Sequence, residues 1–198
     1  PMGLMPAAAN SDKLVAKFGS NNVISLGLSL MTAAMVIFTT VEIDSEYIRL
    51  ACIFVLLGFG MGLTLAPATT VVMDSIPSDK AGVGSATNDA SREVGGALGI
   101  AIGGSVLNEY YQRNMIVPEG LELGNIPLES FPAAMQIGGD LLAEGNLLGL
   151  ALIENAQHAF MEGMIASATI MGVIALINAI LVKLYMPQKV AINSTVEE

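Results

Sequence analysis

Long apolar runs alternate with short polar connections along the chain. Residues 23–41 and 50–73 contain no charged side chain, and residues 161–184 form a third run whose central part, residues 163–182, is also uncharged. An α-helix needs about 20 consecutive apolar residues to cross the ~30 Å hydrocarbon core of a bilayer. The pattern therefore predicts three membrane-spanning helices over these residues.

A fourth run, residues 82–107, reads GVGSATNDASREVGGALGIAIGGSVL and is interrupted by charges. Its uncharged part, residues 94–107, is too short to cross a bilayer. A crossing helix must therefore begin near residue 86 and hold its charges near one end, since charges buried at mid-depth are costly and usually face protein or water. We predict a fourth span over residues 86–107, with its charged end on the cytoplasmic side.

The polar and glycine positions of this span share one side of a helix, because they recur at intervals of three and four residues. Glycines four residues apart let a neighbouring backbone approach closely. We interpret the polar positions as a buried face with a role in transport or structure, in which Asp89 pairs with Arg92 three residues later. The polar positions are Asn88, Asp89, Arg92 and Glu93, and the packing glycines are Gly95, Gly99 and Gly103.

The start of the same run also looks like a dinucleotide-binding glycine loop. Gly82 and Gly84 occupy the first two glycine positions of G-x-G-x-x-G, but Thr87 occupies the third. That motif has meaning only between a β-strand and a helix, and residues 74–80 read as a turn. We therefore interpret these glycines as helix positions and not as a phosphate-binding loop.

The second span is rich in glycine and contains a proline. Gly58, Gly60 and Gly62 precede Pro67 within residues 50–73. Small residues favour close packing of membrane helices, and an internal proline bends a helix. Broken helices of carriers also bend during transport. The two interpretations can hold together, and we predict a packing and kink site here.

The remaining segments are predicted to be connections. Residues 1–22 are expected to hold the end of a helix that begins upstream, followed by a cytoplasmic loop, and residues 185–198 a cytoplasmic tail. Residues 108–158 are acidic and punctuated by proline and glycine, which predicts an external loop with one short helix near residues 149–157.

The distribution of lysines predicts the orientation of the chain. With four crossings, Lys13, Lys17, Lys80, Lys183 and Lys189 fall on one side, and the positive-inside rule places that side in the cytoplasm. We therefore predict a multi-pass protein of the cell (inner, cytoplasmic) membrane, with its lysine-rich loops and C-terminus in the cytoplasm.

The overall composition narrows the possible functions. The net charge of −10 opposes binding to nucleic acid, because phosphate binding needs clustered Lys and Arg. The single cysteine, Cys52, and the single histidine, His158, give little basis for a thiolate cluster, a zinc site or a Ser-His-Asp triad. We predict no metal site, no cofactor and no enzyme activity.

Residues 58–107 resemble the late spans of the fourteen-span drug:proton antiporters in the major facilitator superfamily. This chain matches the family pattern at Gly84, Asn88, Arg92 and residues 95–99, and Ala159-Phe160 matches a small-Phe pair before the last span. The resemblance covers essentially the whole chain and is most specific in the middle. It implies an all-α integral membrane fold with four complete transmembrane helices, a fragment of a major-facilitator-type helical bundle.

Residues 12–19 resemble the family's cytoplasmic loop signature. Leu14, Lys17 and Gly19 fit that signature, but Ala16 stands where the family has an acid. The departure argues against a gating salt bridge at this loop. Lys17 and Gly19 remain the candidate functional residues of the loop.

The resemblance implies the C-terminal part of a proton-coupled multidrug efflux transporter that exports small amphipathic compounds. Its partners would be the lipid bilayer, a small-molecule substrate and transmembrane helices upstream of this chain, and a proton gradient would take the place of a cofactor. The alternative is a four-helix membrane scaffold or accessory subunit without transport activity. A polar helix face that needs covering argues against the scaffold.

Overall fold

The structure is a computed structural model that describes residues 3–121, 123 and 126–186. Every regular element of these residues is helical, as the all-α prediction requires. Residues 187–198, most of the predicted cytoplasmic tail, lie outside the described residues. The helices are α1 (Leu4–Phe18), α2 (Ser20–Phe38), α3 (Tyr47–Asp74), α4 (Ala81–Asn114), α5 (Ile126–Glu129), α6 (Phe131–Ala143) and α7 (Leu148–Tyr185), and a 3-10 turn, Ser78–Lys80, precedes α4.

Three of the described helices are long and apolar enough to cross a membrane, namely α2, α3 and α7. They contain the three charge-free runs. The predicted fourth span corresponds to α4, which has 34 residues but does not meet the same test of composition. The fourth span over residues 86–107 therefore stays a prediction, because Asp89, Arg92, Glu93 and many small polar residues lower the hydropathy of α4.

The chain divides into two compact units. The first contains α1, α2, α3, the part of α4 up to Ala97 and the part of α7 from Met171. Its core is small, since few large side chains of these apolar helices are enclosed by the chain itself. It comprises Ala7, Val23 and Leu63, with Leu14, Val15 and Leu30 packed against them.

The connection between α1 and α2 is much shorter than the predicted loop. α1 continues through residues 12–18, and only Gly19 separates it from α2. The segment contains no proline or glycine before Gly19, so nothing in it ends the helix earlier. Most of the predicted cytoplasmic loop is therefore helical.

The second unit contains residues 39–45 and 98–170, and it corrects the prediction of an external loop over residues 108–158. Most of that segment is helical, with α5, α6 and the first turns of α7 following the end of α4. Ser130 is the N-cap of α6: its Oγ accepts a hydrogen bond from the Ala133 amide, and a proline lies in the first turn of the helix. The unit has its own core of six residues, Tyr111, Met115, Ala134, Leu152, Ala156 and Ala159.

Candidate functional site

α1 and α3 of the first unit approach each other at two glycines of α3. A Cβ built on Gly62 would lie 2.6 Å from the carbonyl oxygen of Leu4 and 2.8 Å from the Cβ of Ala7. A Cβ built on Gly58, one turn earlier, would lie 3.3 Å from the Leu4 amide nitrogen. The absence of a side chain at Gly62 therefore sets how closely the two helices pack, as small residues do in membrane proteins.

A groove of about 650 Å³ lies beside this contact, within the first unit. Leu4 and Ala8 of α1 and Leu65 of α3 contribute to its apolar wall. Asp74 at the end of α3 and Arg92 of α4 bring opposite charges to the same groove. Apolar walls with two separated charges are suited to an amphipathic compound, because its apolar body and its charged group can both be satisfied.

Hydroxyl groups add polarity to the α3 side of this groove. Thr69 Oγ1 donates a hydrogen bond of 2.9 Å to the Leu65 carbonyl, and Thr70 Oγ1 donates one of 3.2 Å to the Ala66 carbonyl. Both hydroxyl hydrogens are thus used inside α3. The two oxygens keep the capacity to accept a hydrogen bond from a ligand.

The polar face of α4 is open within the described residues. Asn88 is half-buried, whereas Asp89, Arg92 and Glu93 are exposed. The predicted ion pair between Asp89 and Arg92 is not among the ion pairs of the described residues, where Arg113 pairs with Glu109 at 2.6 Å. Exposed pairs of this kind contribute only about 0–1 kcal/mol, so little stability is lost when Asp89 and Arg92 do not pair.

The predicted packing glycines of α4 have different surroundings. A Cβ built on Gly95 or Gly99 meets no described atom within 4 Å. The carbonyl of Gly103, by contrast, accepts a hydrogen bond of 3.0 Å from Ser167 Oγ of α7. A Cβ on Gly163 would lie 2.6 Å from the Leu107 carbonyl oxygen. α4 and α7 therefore pack closely in the second unit, and the packing role of Gly95 and Gly99 stays a prediction.

α3 packs against α2 on a different side from α1. A Cβ on Gly60 would lie 2.6 Å from the Gly27 carbonyl oxygen, and a Cβ on Gly27 would lie 2.7 Å from the Gly60 carbonyl oxygen. Thr64 Oγ1 also donates a hydrogen bond of 2.8 Å to the Gly60 carbonyl. Pro67 is fully buried, and α3 continues past it to Asp74. The glycines of α3 thus contact two helices, α1 through Gly58 and Gly62 and α2 through Gly60.

Gly19 makes the tight turn between α1 and α2. Its backbone has φ 83° and ψ 153°, and its amide donates to the Val15 carbonyl at 2.8 Å. This conformation is accessible essentially to glycine alone. Lys17, in the last turn of α1, places its Nζ 5.3 Å from the centroid of the Phe18 ring. The turn therefore explains the glycine of the predicted signature, and Lys17 lies exposed beside it.

Sequence reasoning missed the aromatic core of the second unit. The Tyr111 hydroxyl donates a hydrogen bond of 2.7 Å to the Pro127 carbonyl, and its burial raises the pKa of the phenol. The Phe131 ring meets the Tyr111 ring edge-on at 6.1 Å and stacks on Phe160 at 4.3 Å. The Ser-Phe-Pro start of α6 and the Gly-Asn pair at residues 145–146 are the cap signals that reveal α6.

Residues 1–100, about half of the chain, match the profile of the Major Facilitator Superfamily. The chain belongs to the Major Facilitator Superfamily. This confirms, at the level of the superfamily, the resemblance seen in residues 58–107. Members of this superfamily are multi-pass membrane transporters and not enzymes, and α2, α3 and α7 are the three described helices that meet the membrane requirement.

Several similar members of the superfamily have names that refer to drug resistance or efflux. LfrA, a multidrug efflux pump of Mycolicibacterium smegmatis, is 25% identical over 86% of this chain and 34% of its own length. The tetracenomycin C resistance and export protein of Streptomyces glaucescens is 26% identical over 89% of this chain and 34% of its own. The methyl viologen resistance protein SmvA of Salmonella typhimurium is 28% identical over 74% and 30%.

The chain spans about a third of the length of these relatives. No solved structure matches it.

Proposed function

We propose that this chain is the C-terminal part of a proton-coupled multidrug efflux transporter of the fourteen-span branch, which exports small amphipathic compounds. The groove of the first unit is the observation that carries the proposal, because it combines apolar walls with Asp74 and Arg92. The efflux and resistance functions named for the relatives support the same activity.

We assign α4 as a fourth crossing despite its composition. At about 1.5 Å per residue, its 34 residues extend for about 50 Å, more than the ~30 Å hydrocarbon core. Its charges cluster at Asp89, Arg92 and Glu93, near the end that begins at Ala81. A helix with such a face crosses a bilayer when other helices or water cover the charges.

Further helices of the same transporter cover this face in the proposed assembly. The open surroundings of Gly95 and Gly99 suit the close approach of another helix. The coverage of only about a third of the relatives leaves room for such helices upstream. In the transport cycle, bundles of helices rock around the shared site so that it opens to each side in turn.

The proposed orientation places the lysine-rich ends in the cytoplasm and the protein in the inner membrane. Lys13 and Lys17 of α1, Lys80 before α4 and Lys183 at the end of α7 define that side. The charged end of α4 then lies near the cytoplasmic surface. Among the described residues of α4 within the proposed span, Asp89 and Glu93 are the acids available for proton coupling.

Replacing Arg92 with Ala in the full-length transporter tests the role of the groove. We expect efflux of an amphipathic fluorescent dye to fall at least tenfold, while the amount of protein in the membrane stays unchanged. Arg92→Lys keeps the charge and should retain part of the activity. Arg113→Ala is the matched control, because it removes the same charge from the same helix at an exposed ion pair with Glu109.

Efflux is measured with and without an imposed pH gradient, since proton coupling requires that the gradient drive export. Undiminished efflux by Arg92→Ala at normal expression would remove the groove from the mechanism. If the efflux rate of the unaltered protein were the same with and without the pH gradient, proton coupling would be contradicted. Complete absence of transport by the full-length protein, with any substrate, would instead favour the membrane scaffold.

A further inference from the structure

Two lysines of the first unit are connected through a short chain of contacts. Lys183 Nζ, at the end of α7, donates a hydrogen bond to Asn22 Oδ1 of α2. Asn22 Nδ2 donates in turn to the Phe18 carbonyl at 2.6 Å, and Lys17 Nζ lies 5.3 Å from the centroid of the Phe18 ring. Two exposed lysines at the ends of α1 and α7 thus flank Asn22 and Phe18, and we name them the Lys17–Lys183 cluster.

No carboxylate forms an ion pair with either lysine among the described residues. The acceptor for Lys183 is a neutral amide, and the partner of Lys17 is an aromatic ring. Neither neutralises the positive charge. The cluster thus has charge left to bind an anion.

Apolar side chains continue from this cluster along α2 and α7. Leu26 lies one turn after Asn22 in α2, and Ile180 and Leu176 lie three and seven residues before Lys183 in α7, so the spacing places them on the corresponding helix sides. Their exposed fractions are 51%, 49% and 45%. An anion that occupies the cluster would therefore have exposed hydrocarbon next to it.

We propose that the Lys17–Lys183 cluster binds the headgroup of an anionic phospholipid of the cytoplasmic leaflet, with an acyl chain along Leu26, Ile180 and Leu176. Basic sites between membrane helices on the cytoplasmic side attract such headgroups, and lysines at helix ends reach the headgroup layer with their ammonium groups. The inference depends on the proposed membrane orientation. A free phosphate has no acyl chain that could pack against Leu26, Ile180 and Leu176.

Lipid retention by the purified full-length transporter tests the site. The protein is exchanged from nanodiscs of equal parts phosphatidylglycerol and phosphatidylcholine into mild detergent, and the bound lipids are counted by native mass spectrometry. A lysine that contacts an anionic headgroup is expected to contribute about fivefold to its binding. We expect Lys17→Gln to lower phosphatidylglycerol retention about fivefold and the double variant Lys17→Gln/Lys183→Gln about 30-fold.

Two controls separate a defined site from general charge attraction. Lys80→Gln removes the same charge from the 3-10 turn before α4 and should leave retention unchanged. Lys183→Arg keeps the charge and should retain most of the binding. Lys17→Gln leaves the hydrogen bond from Lys183 to Asn22 in place, so it reports on the site even where the double variant does not fold.

Equal loss in Lys80→Gln, full retention in the double variant, or equal retention of phosphatidylcholine would each overturn the proposal. Displacement of the lipid by millimolar glycerol phosphate would also overturn it, since a headgroup alone would then be the ligand. The measurement requires no transport. A failure of the proposed efflux activity would therefore leave its result unaffected.

Discussion

The contact between α1 and α3 predicts that a side chain at Gly62 destabilises the protein. In Gly62→Ala the new Cβ would lie 2.8 Å from the Ala7 Cβ and 2.6 Å from the Leu4 carbonyl oxygen. Carbon atoms prefer separations of about 3.5–4.0 Å, so α1 has to move away by about 0.7 Å. The atoms it meets belong to the backbone and to a methyl group, which have no alternative rotamer.

The expected loss of stability follows from two opposing contributions. Overpacking costs about 1–3 kcal/mol, and rigid backbone and methyl atoms place this case in the upper half of that range, about 2–3 kcal/mol, whereas alanine gains about 0.8–1.0 kcal/mol over glycine inside a helix. Gly62→Ala should therefore be destabilised by about 1–2 kcal/mol. In Gly58→Ala the nearest atom lies at 3.3 Å, so the helix gain should offset the small shift and leave stability within about 0.5 kcal/mol of the original.

Thermal unfolding of the purified full-length transporter measures both variants. For a unit of this size, 1–2 kcal/mol corresponds to a drop in Tm of roughly 3–6 °C, and we expect it in Gly62→Ala alone. Dye efflux should fall with Gly62→Ala as well, because the groove beside the contact changes width. Equal Tm values for the two variants, or a larger drop in Gly58→Ala, would refute the packing described for α1 and α3.

Other positions give equally direct tests. Gly19→Ala should lower the free energy of unfolding by about 1–3 kcal/mol in thermal denaturation, because its backbone has φ 83° in a region that other residues avoid. Gly149→Ala should lower the Tm by several degrees, since its Cβ would lie 2.4 Å from a carbonyl oxygen of α6, whereas Gly139→Ala, with no atom of the described residues within 4 Å, should not. Asp89→Asn and Glu93→Gln test proton coupling: if either acid carries the proton, its neutral variant should lose the acceleration of dye efflux by an imposed pH gradient, and if both variants keep it, neither acid is the coupling group.

The spans that face lipid were the most predictable part of the fold. A helix surrounded by hydrocarbon needs an uninterrupted apolar sequence. The charge-free runs therefore predicted both ends of α2 and α3, and the C-terminal end of α7, to within three residues. α7 is the exception at its start, which lies at Leu148. The first part of α7, up to residue 170, belongs to the second unit. Its polar residues made it look like part of a loop, but they do not prevent a helix from forming there.

The second unit was less predictable because its core depends on contacts between distant residues. Tyr111 of α4 meets Phe131 of α6, and Phe131 meets Phe160 of α7. In the sequence patterns Phe160 appears only as part of the Ala159-Phe160 pair, and nothing in the sequence indicates that these three rings meet. Only the cap at Ser130 and the glycine at position 145, with φ 82°, mark the ends of α6 in the sequence.

The candidate site shows the same division. The spacing of Arg92 and the α4 glycines predicted a polar side of one helix, but it could not show that Arg92 shares a groove with Asp74 of α3. It also could not distinguish Gly103, which contacts α7, from Gly95 and Gly99, whose surroundings are open. Such differences depend on which helix is the neighbour, and helical periodicity alone does not contain that information.

The single residue between α1 and α2 also limits how this part of a carrier can move. Consecutive Cα atoms are about 3.8 Å apart, so Gly19 keeps the last Cα of α1 within two Cα–Cα steps, about 7.6 Å, of the first Cα of α2. Because the connection is this short, a displacement of the end of α1 also displaces the first turn of α2. An insertion at this position would lengthen the connection and let the two helices tilt independently.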